Sequence, residues 1–98
     1  MGIKKQKGVS TVAKHVKMMI QDTCPHCRHA FELMDELKKE HPEYNQVEIE
    51  VIDENREAGK TQGYDYWYVP TFFVDDVKVH EGVPTKEKID RVFKEALK

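Results

Sequence analysis

Val16-Lys17-Met18-Met19-Ile20-Gln21-Asp22-Thr23-Cys24-Pro25-His26-Cys27 decides how this chain reads. Val16 to Ile20 has the composition of a short buried strand, and Gln21-Asp22-Thr23 that of the turn leaving it. Downstream, Ala30, Leu33, Met34 and Leu37 recur at helical spacing with Phe31 beside them, which predicts a helix over about 25–40. Pro25 suits the first turn of that helix, where its fixed φ is already helical and its missing N–H is not needed. Cys24 then sits at the helix mouth, where unpaired backbone N–H groups and the positive end of the helix dipole favour an anion. A thiolate is the nucleophilic form of cysteine. Cys27, about one turn further in, is expected to be more buried and to act as the resolving thiol.

Cys24 and Cys27 are the only cysteines in the chain. At this spacing they can close a small disulfide ring and open it again. His26, between them, can bring a donor or a positive charge toward the Cys24 sulfur, depress its pKa and make the disulfide more oxidising. The alternative is a histidine that points into solvent. Cys24, His26, Cys27 and His29 also form a compact group of soft ligands. A closed zinc site needs four ligands, usually from two separated pairs, and His15, His41 and His80 are scattered. No metal is therefore expected within one chain.

Ninety-eight residues make one domain, and a net charge of −2 carries no nucleic-acid footprint. No apolar run is long enough to span a membrane, and the lysines at 4, 5 and 7 are not followed by the apolar stretch of a secretory signal. The expected setting is cytoplasmic, where a two-cysteine pair is more often catalytic or metal-binding than structural. Residues 1–14 read as a polar, flexible lead-in, and 15–98 as the domain.

Pro42 should end the first helix. Val47, Ile49 and Val51 alternate with Glu48 and Glu50, a half-exposed strand at a sheet edge. Residues 53–63 are polar and support at most a short second helix ending near Gly59 or Gly63. Residues 71–74 and 77–80 flank Asp75-Asp76 and read as a hairpin, its loop longer than two residues if Asp-Asp is a poor tight turn. Thr85 is a plausible N-cap for a last helix carrying Ile89, Val92, Phe93 and Ala96 on one face. The order is β-α-β-(α)-β-β-α, an α/β chain with a mixed four-stranded sheet flanked by helices.

Strand, Thr23-Cys24-Pro25-His26-Cys27, helix, then Tyr68-Val69-Pro70-Thr71-Phe72-Phe73 opening a hairpin, then a glycine and a terminal helix: this arrangement resembles the thioredoxin fold. The brevity and the Thr-Cys-Pro-x-Cys start look more like the glutaredoxin branch. The resemblance implies a thiol–disulfide oxidoreductase whose redox-active disulfide is Cys24–Cys27 and which requires no other cofactor. Direction depends on the ambient redox poise and on His26, reduction being the default in a cytoplasmic setting, and a monomer is expected. The resemblance also implies a cis bond before Pro70, facing the cysteines, with Val69 offering its backbone to an extended substrate. A trans proline opening an edge strand is the alternative.

Thr23, Trp67 and Tyr68 join Val69 and Pro70 as expected substrate contacts. Of the four aromatics Tyr64, Tyr66, Trp67 and Tyr68, half are expected to pack on the core, Trp67 and Tyr68 being the better candidates for the rim. Where thioredoxins place a buried carboxylate on the first strand, this chain has Met18. Of the glutaredoxin residues that hold glutathione, the cation before the cysteines is missing and only Gly82 of the Gly-Gly remains. Protein or small-molecule disulfides are the expected substrates, with glutathione or a flavoprotein reductase as possible reductants. Other uses of the same frame are a metal, iron–sulfur or redox-sensing module, or an electron-transfer domain for one dedicated partner.

Overall fold

The computed structural model describes residues 13–98, so most of the lead-in expected at 1–14 lies outside the described residues. The elements are β1 (Val16–Ile20), α1 (Pro25–Glu40), a 3-10 turn (Pro42–Gln46), β2 (Ile49–Asp53), a second 3-10 turn (Ala58–Thr61), β3 (Thr71–Val74), β4 (Val77–Glu81) and α2 (Lys86–Ala96). The sheet order is β2-β1-β3-β4. β1 runs parallel to β2 through the α1 crossover and antiparallel to β3, and β3 pairs antiparallel with β4. This is the mixed four-stranded sheet read from the sequence.

The two sides of the sheet are built differently. Val16, Met18 and Ile20 of β1 and Phe72 and Val74 of β3 face α1 and α2. Ala30, Leu33, Met34 and Leu37 of α1 close on them together with Ile89, Val92, Phe93 and Ala96 of α2. Tyr44, from the first 3-10 turn, stacks on Phe93 with ring centroids 4.6 Å apart and donates its hydroxyl proton to Asp90. Thr85 caps α2, its hydroxyl oxygen accepting from the Lys88 N–H at 3.2 Å. On the other side Met19, Ile52 and Phe73 form a small cluster. No α-helix covers it among the described residues; Tyr64 and Tyr66, from the segment before β3, lie over it.

The polar stretch 53–63 stays within its expected limit, a single short 3-10 turn at Ala58–Thr61, because it offers no apolar face for a longer helix to bury. Two expectations need correction. In β2 the alternation read through Val51 does not hold: Val51 is 39% exposed, whereas Ile52 is buried on the opposite side. β2 is an edge strand, as expected, with a hydrogen-bonded neighbour on one side only. The hairpin loop is two residues after all, with Val74 paired to Val77. Asp75 and Asp76 both take positive φ, 48° and 68°, the twist that a two-residue hairpin demands. The Asp75 carboxylate accepts from the His15 N–H at 3.2 Å, and that of Asp76 accepts from the Tyr64 hydroxyl.

Candidate active site

The first turn of α1 sets the site. Cys24 is its N-cap, in extended conformation, with Pro25 directly after it. The Cys24 carbonyl accepts from the Cys27 and Arg28 N–H groups at 3.1 and 3.3 Å, which closes the turn that brings both cysteines to one end of the helix. Cys24 is part-exposed and Cys27 is 2% exposed, packed in the helix-side core. Burial pushes the Cys27 thiol up to about 12, with Cys24 and the Glu54 charge adding to it and a hydrogen bond from the Gln21 backbone opposing it.

Pro70 reaches this end from the start of β3. The Val69–Pro70 peptide bond is cis. The Cys24 sulfur lies 3.9 Å from the Val69 carbonyl oxygen, its S–H a weak donor to it. Pro70 is buried, and its carbonyl accepts from the Gly82 N–H at 2.9 Å, which ties the start of β3 to the end of β4. Gly82 has φ +93°, a conformation a side chain would strain.

The four aromatics divide into two pairs. Tyr64 and Tyr66 pack edge-on to Phe73, with centroids at 4.8 and 6.3 Å. Trp67 is 86% and Tyr68 70% exposed. Tyr68 joins His26, Val69, Gly82 and Val83 around an open, mostly apolar groove of about 320 Å³, which adjoins Cys24 through Val69, the residue whose carbonyl meets the Cys24 sulfur. His26 and Thr23 are both exposed. His26 thus borders the groove, and no hydrogen bond links it to the Cys24 sulfur among the described contacts.

Gly82, which the sequence singled out only as the remnant of a glutathione-binding Gly-Gly, and Val83, unremarked there, complete the groove from the β4–α2 connection. Glu54, also unremarked, accepts from the Gln21 side chain and from the Tyr66 hydroxyl, the latter at 2.7 Å. Burial, with this bond to Glu54, raises the Tyr66 phenol. The sequence marked neither glutamate 54 nor the groove, since both depend on loops meeting in space.

Among the described residues no group of three or more His, Cys, Asp and Glu side chains is arranged to hold a metal ion. His29 contacts Glu32 and His15 contacts Glu50. No helix among them is long and apolar enough to cross a membrane.

The thioredoxin domain family matches residues 14–94. A thioredoxin of Methanocaldococcus jannaschii is 29% identical over 82 residues, which covers 84% of this chain and 94% of that protein. A protein of Methanothermobacter marburgensis described as "Probable Thioredoxin" is 30% identical over 74 residues, 76% of this chain and 85% of its own. Among solved structures, Fasciola hepatica thioredoxin superposes with TM-score 0.63 at 19% identity, covering 88% of this chain and 83% of that one. The oxidised thioredoxin of Plasmodium falciparum gives TM-score 0.63 at 14% identity, covering 85% and 80%. At those identities the structures speak for the fold alone. The family match spans the strand, both cysteines, the cis-proline segment and most of the last helix, so the chain that carries Cys24 and Cys27 at this helix mouth belongs to the thioredoxin family.

Proposed function

We propose that the chain is a thiol–disulfide oxidoreductase in which Cys24 is the nucleophile and Cys27 the resolving thiol. The observation that carries this reading is the contrast within one helical turn: a part-exposed Cys24 at the helix mouth and a Cys27 that is 2% exposed behind it. The Cys24 thiolate attacks one sulfur of a substrate disulfide; a Cys24–substrate disulfide forms and the other substrate sulfur leaves as thiolate. The Cys27 thiol then loses its proton and attacks the Cys24 sulfur. The Cys24–Cys27 disulfide forms and the second substrate thiolate leaves. The substrate gains two electrons, and an external dithiol or glutathione restores the pair. In a cytoplasmic setting the default direction is reduction. The free N–H groups of the first turn favour the anionic sulfur in both steps.

Protein disulfides are favoured over glutathione as substrate. The groove that adjoins Cys24 through Val69 is lined by His26, Tyr68, Val69, Gly82 and Val83 and holds no lysine or arginine to bind glutathione carboxylates. Val69 and Pro70 offer backbone to an extended segment, and Trp67, Tyr68 and Thr23 border the place it would lie. The relatives named as thioredoxins support the same preference over the glutaredoxin branch that Thr23-Cys24-Pro25 resembles. Pro25 opens the helix directly after Cys24, and His26, exposed at the groove with no hydrogen bond to the Cys24 sulfur among the described contacts, would tune the pair only through its charge.

Replacing Cys27 with Ser tests the order of attack. In a mixture with a disulfide-bonded protein, the variant should accumulate a stable mixed disulfide on Cys24, seen as the mass of the conjugate; an unmodified Cys24 would rule the mechanism out. Equilibration of the unaltered protein in graded glutathione buffers, followed by thiol trapping, tests the function itself. A reversible loss of two hydrogens is expected. Failure to form the disulfide at any ratio would transfer the reading to a metal-binding or iron–sulfur module.

A further inference from the structure

Tyr68, at the groove, and Trp67 before it are among the most exposed large side chains of the described residues, yet the backbone beneath them is tightly held. The Glu81 carboxylate accepts from both the Trp67 and Tyr68 N–H groups, the second at 2.9 Å. Lys78 donates to Glu81 at 2.8 Å and to the Asp65 carbonyl at 3.0 Å. The Thr71 hydroxyl donates to the Tyr68 carbonyl. Four backbone groups of residues 65–68 are thus met by three side chains of the β3–β4 hairpin.

A defect in strand pairing makes this possible. In a regular strand, residues 78 and 81 point to opposite faces. Here Phe72 pairs with His80 and Phe73 with Lys78, so Val79 is an extra, bulged residue. Thr71 pairs with Glu81, and cross-strand partners share a face. The bulge therefore carries Lys78 and Glu81 to the side of Thr71 and Phe73, under the rim segment, while His80 stays buried with Phe72 on the helix side. The Lys78–Glu81 contact follows from that shift.

We propose that Lys78 and Glu81 form a clamp that positions the Trp67–Tyr68 rim for protein substrates. Neither residue touches the reacting sulfurs; both are positioning residues. A backbone held in one conformation before docking spares a protein substrate the entropy of ordering the segment that carries Trp67 and Tyr68. A small disulfide that reaches only Cys24 gains little from it. The inference rests on the oxidoreductase reading above and adds to it a preference for large substrates set by β4.

The test is steady-state reduction of insulin and of 2-hydroxyethyl disulfide, each at fixed dithiothreitol. Glu81→Ala should raise KM for insulin about tenfold with kcat within about twofold. Its preference for insulin over the small disulfide, as the ratio of kcat/KM values, should fall by about the same factor. Glu81→Gln, which keeps an acceptor oxygen for both N–H groups, should recover most of the loss. Trp67 is the single tryptophan of the chain, so its emission anisotropy reads the segment directly, and it should drop in Glu81→Ala and return in Glu81→Gln. An insulin KM within about twofold of the unaltered protein would overturn the clamp, as would equal losses of kcat/KM on both disulfides. Should Glu81→Ala not fold, Lys78→Met decides: a KM rise of about threefold supports the clamp and an unchanged KM overturns it. An unaltered protein that reduces neither disulfide takes down the oxidoreductase reading and the clamp with it.

Discussion

The two faces of the sheet are held by different physics. Behind it, two helices bury a continuous apolar layer from Val16 to Ala96, with Phe72, Ile89, Val92 and Phe93 fully buried. In front, three buried residues lie under two tyrosines, and polar contacts complete the cover: Lys17 to Tyr64, Tyr64 to Asp76, Tyr66 to Glu54, Glu81 to the rim. The helix face is stabilised by area removed from water, which is non-directional and tolerant of detail. The front face is stabilised by directional bonds whose net worth is small but whose geometry is exacting. Its consequence is functional. The cysteines are anchored from the helix face, whereas the rim that would greet a substrate is anchored from the front.

The largest effect that would break this contrast is core truncation. Phe93→Ala, on the helix face, should cost about 3–5 kcal/mol in urea unfolding. Phe73→Ala, under the two tyrosines, should cost at least about 1 kcal/mol less, because an irregular segment can settle into the vacated space more readily than a helix. Equal losses would mean the front face is as consolidated as the back.

Removal of one hydroxyl sharpens it further. Tyr64→Phe deletes the oxygen that accepts from Lys17 and donates to Asp76, and should lower stability by about 1 kcal/mol while leaving the packing on Phe73 in place. No change in the unfolding midpoint would show that water replaces those bonds without loss.

The smallest effect at neutral pH belongs to Cys27, on the helix face. Its folded-state pKa lies above its ordinary value of 9.0, at about 12, so the native state holds the proton over that interval while the unfolded chain releases it. Reduced protein should thus lose stability as pH rises from about 9 toward about 12. Tyr44 and Tyr66 are raised as well and add to the same alkaline loss. Comparison with Cys27→Ala isolates the thiol: the variant should show the shallower decline, and parallel curves would mean that burial of Cys27 does not oppose its ionisation.

How much of this was legible beforehand follows the same division. β1, α1 and α2 could be read because apolar spacing, Pro25 and Thr85 are local signals that act within a few residues. The front face could not. Val51 is exposed and Ile52 buried because burial at an edge strand depends on what lies over it. Residues 58–61 form a single 3-10 turn, and Tyr64 and Tyr66 beyond it cover the small cluster of Met19, Ile52 and Phe73, a placement that local spacing does not encode. The division of the aromatics into Tyr64 and Tyr66 against Trp67 and Tyr68 was foreshadowed by number and composition, since four aromatics in five positions exceed what a solvated loop needs.

The amino-acid sequence by itself determined the order of elements, the position of Cys24 at a helix mouth and of Cys27 one turn behind it, since these depend on helical period and on proline's fixed φ. Tertiary structure alone decided which backbone meets the cysteines and what holds the rim. Val69 comes within 3.9 Å of the Cys24 sulfur across a sequence separation of 45 residues. The bulge at Val79 turns Glu81 toward Tyr68 through strand register, a property of two paired chains that neither segment encodes alone.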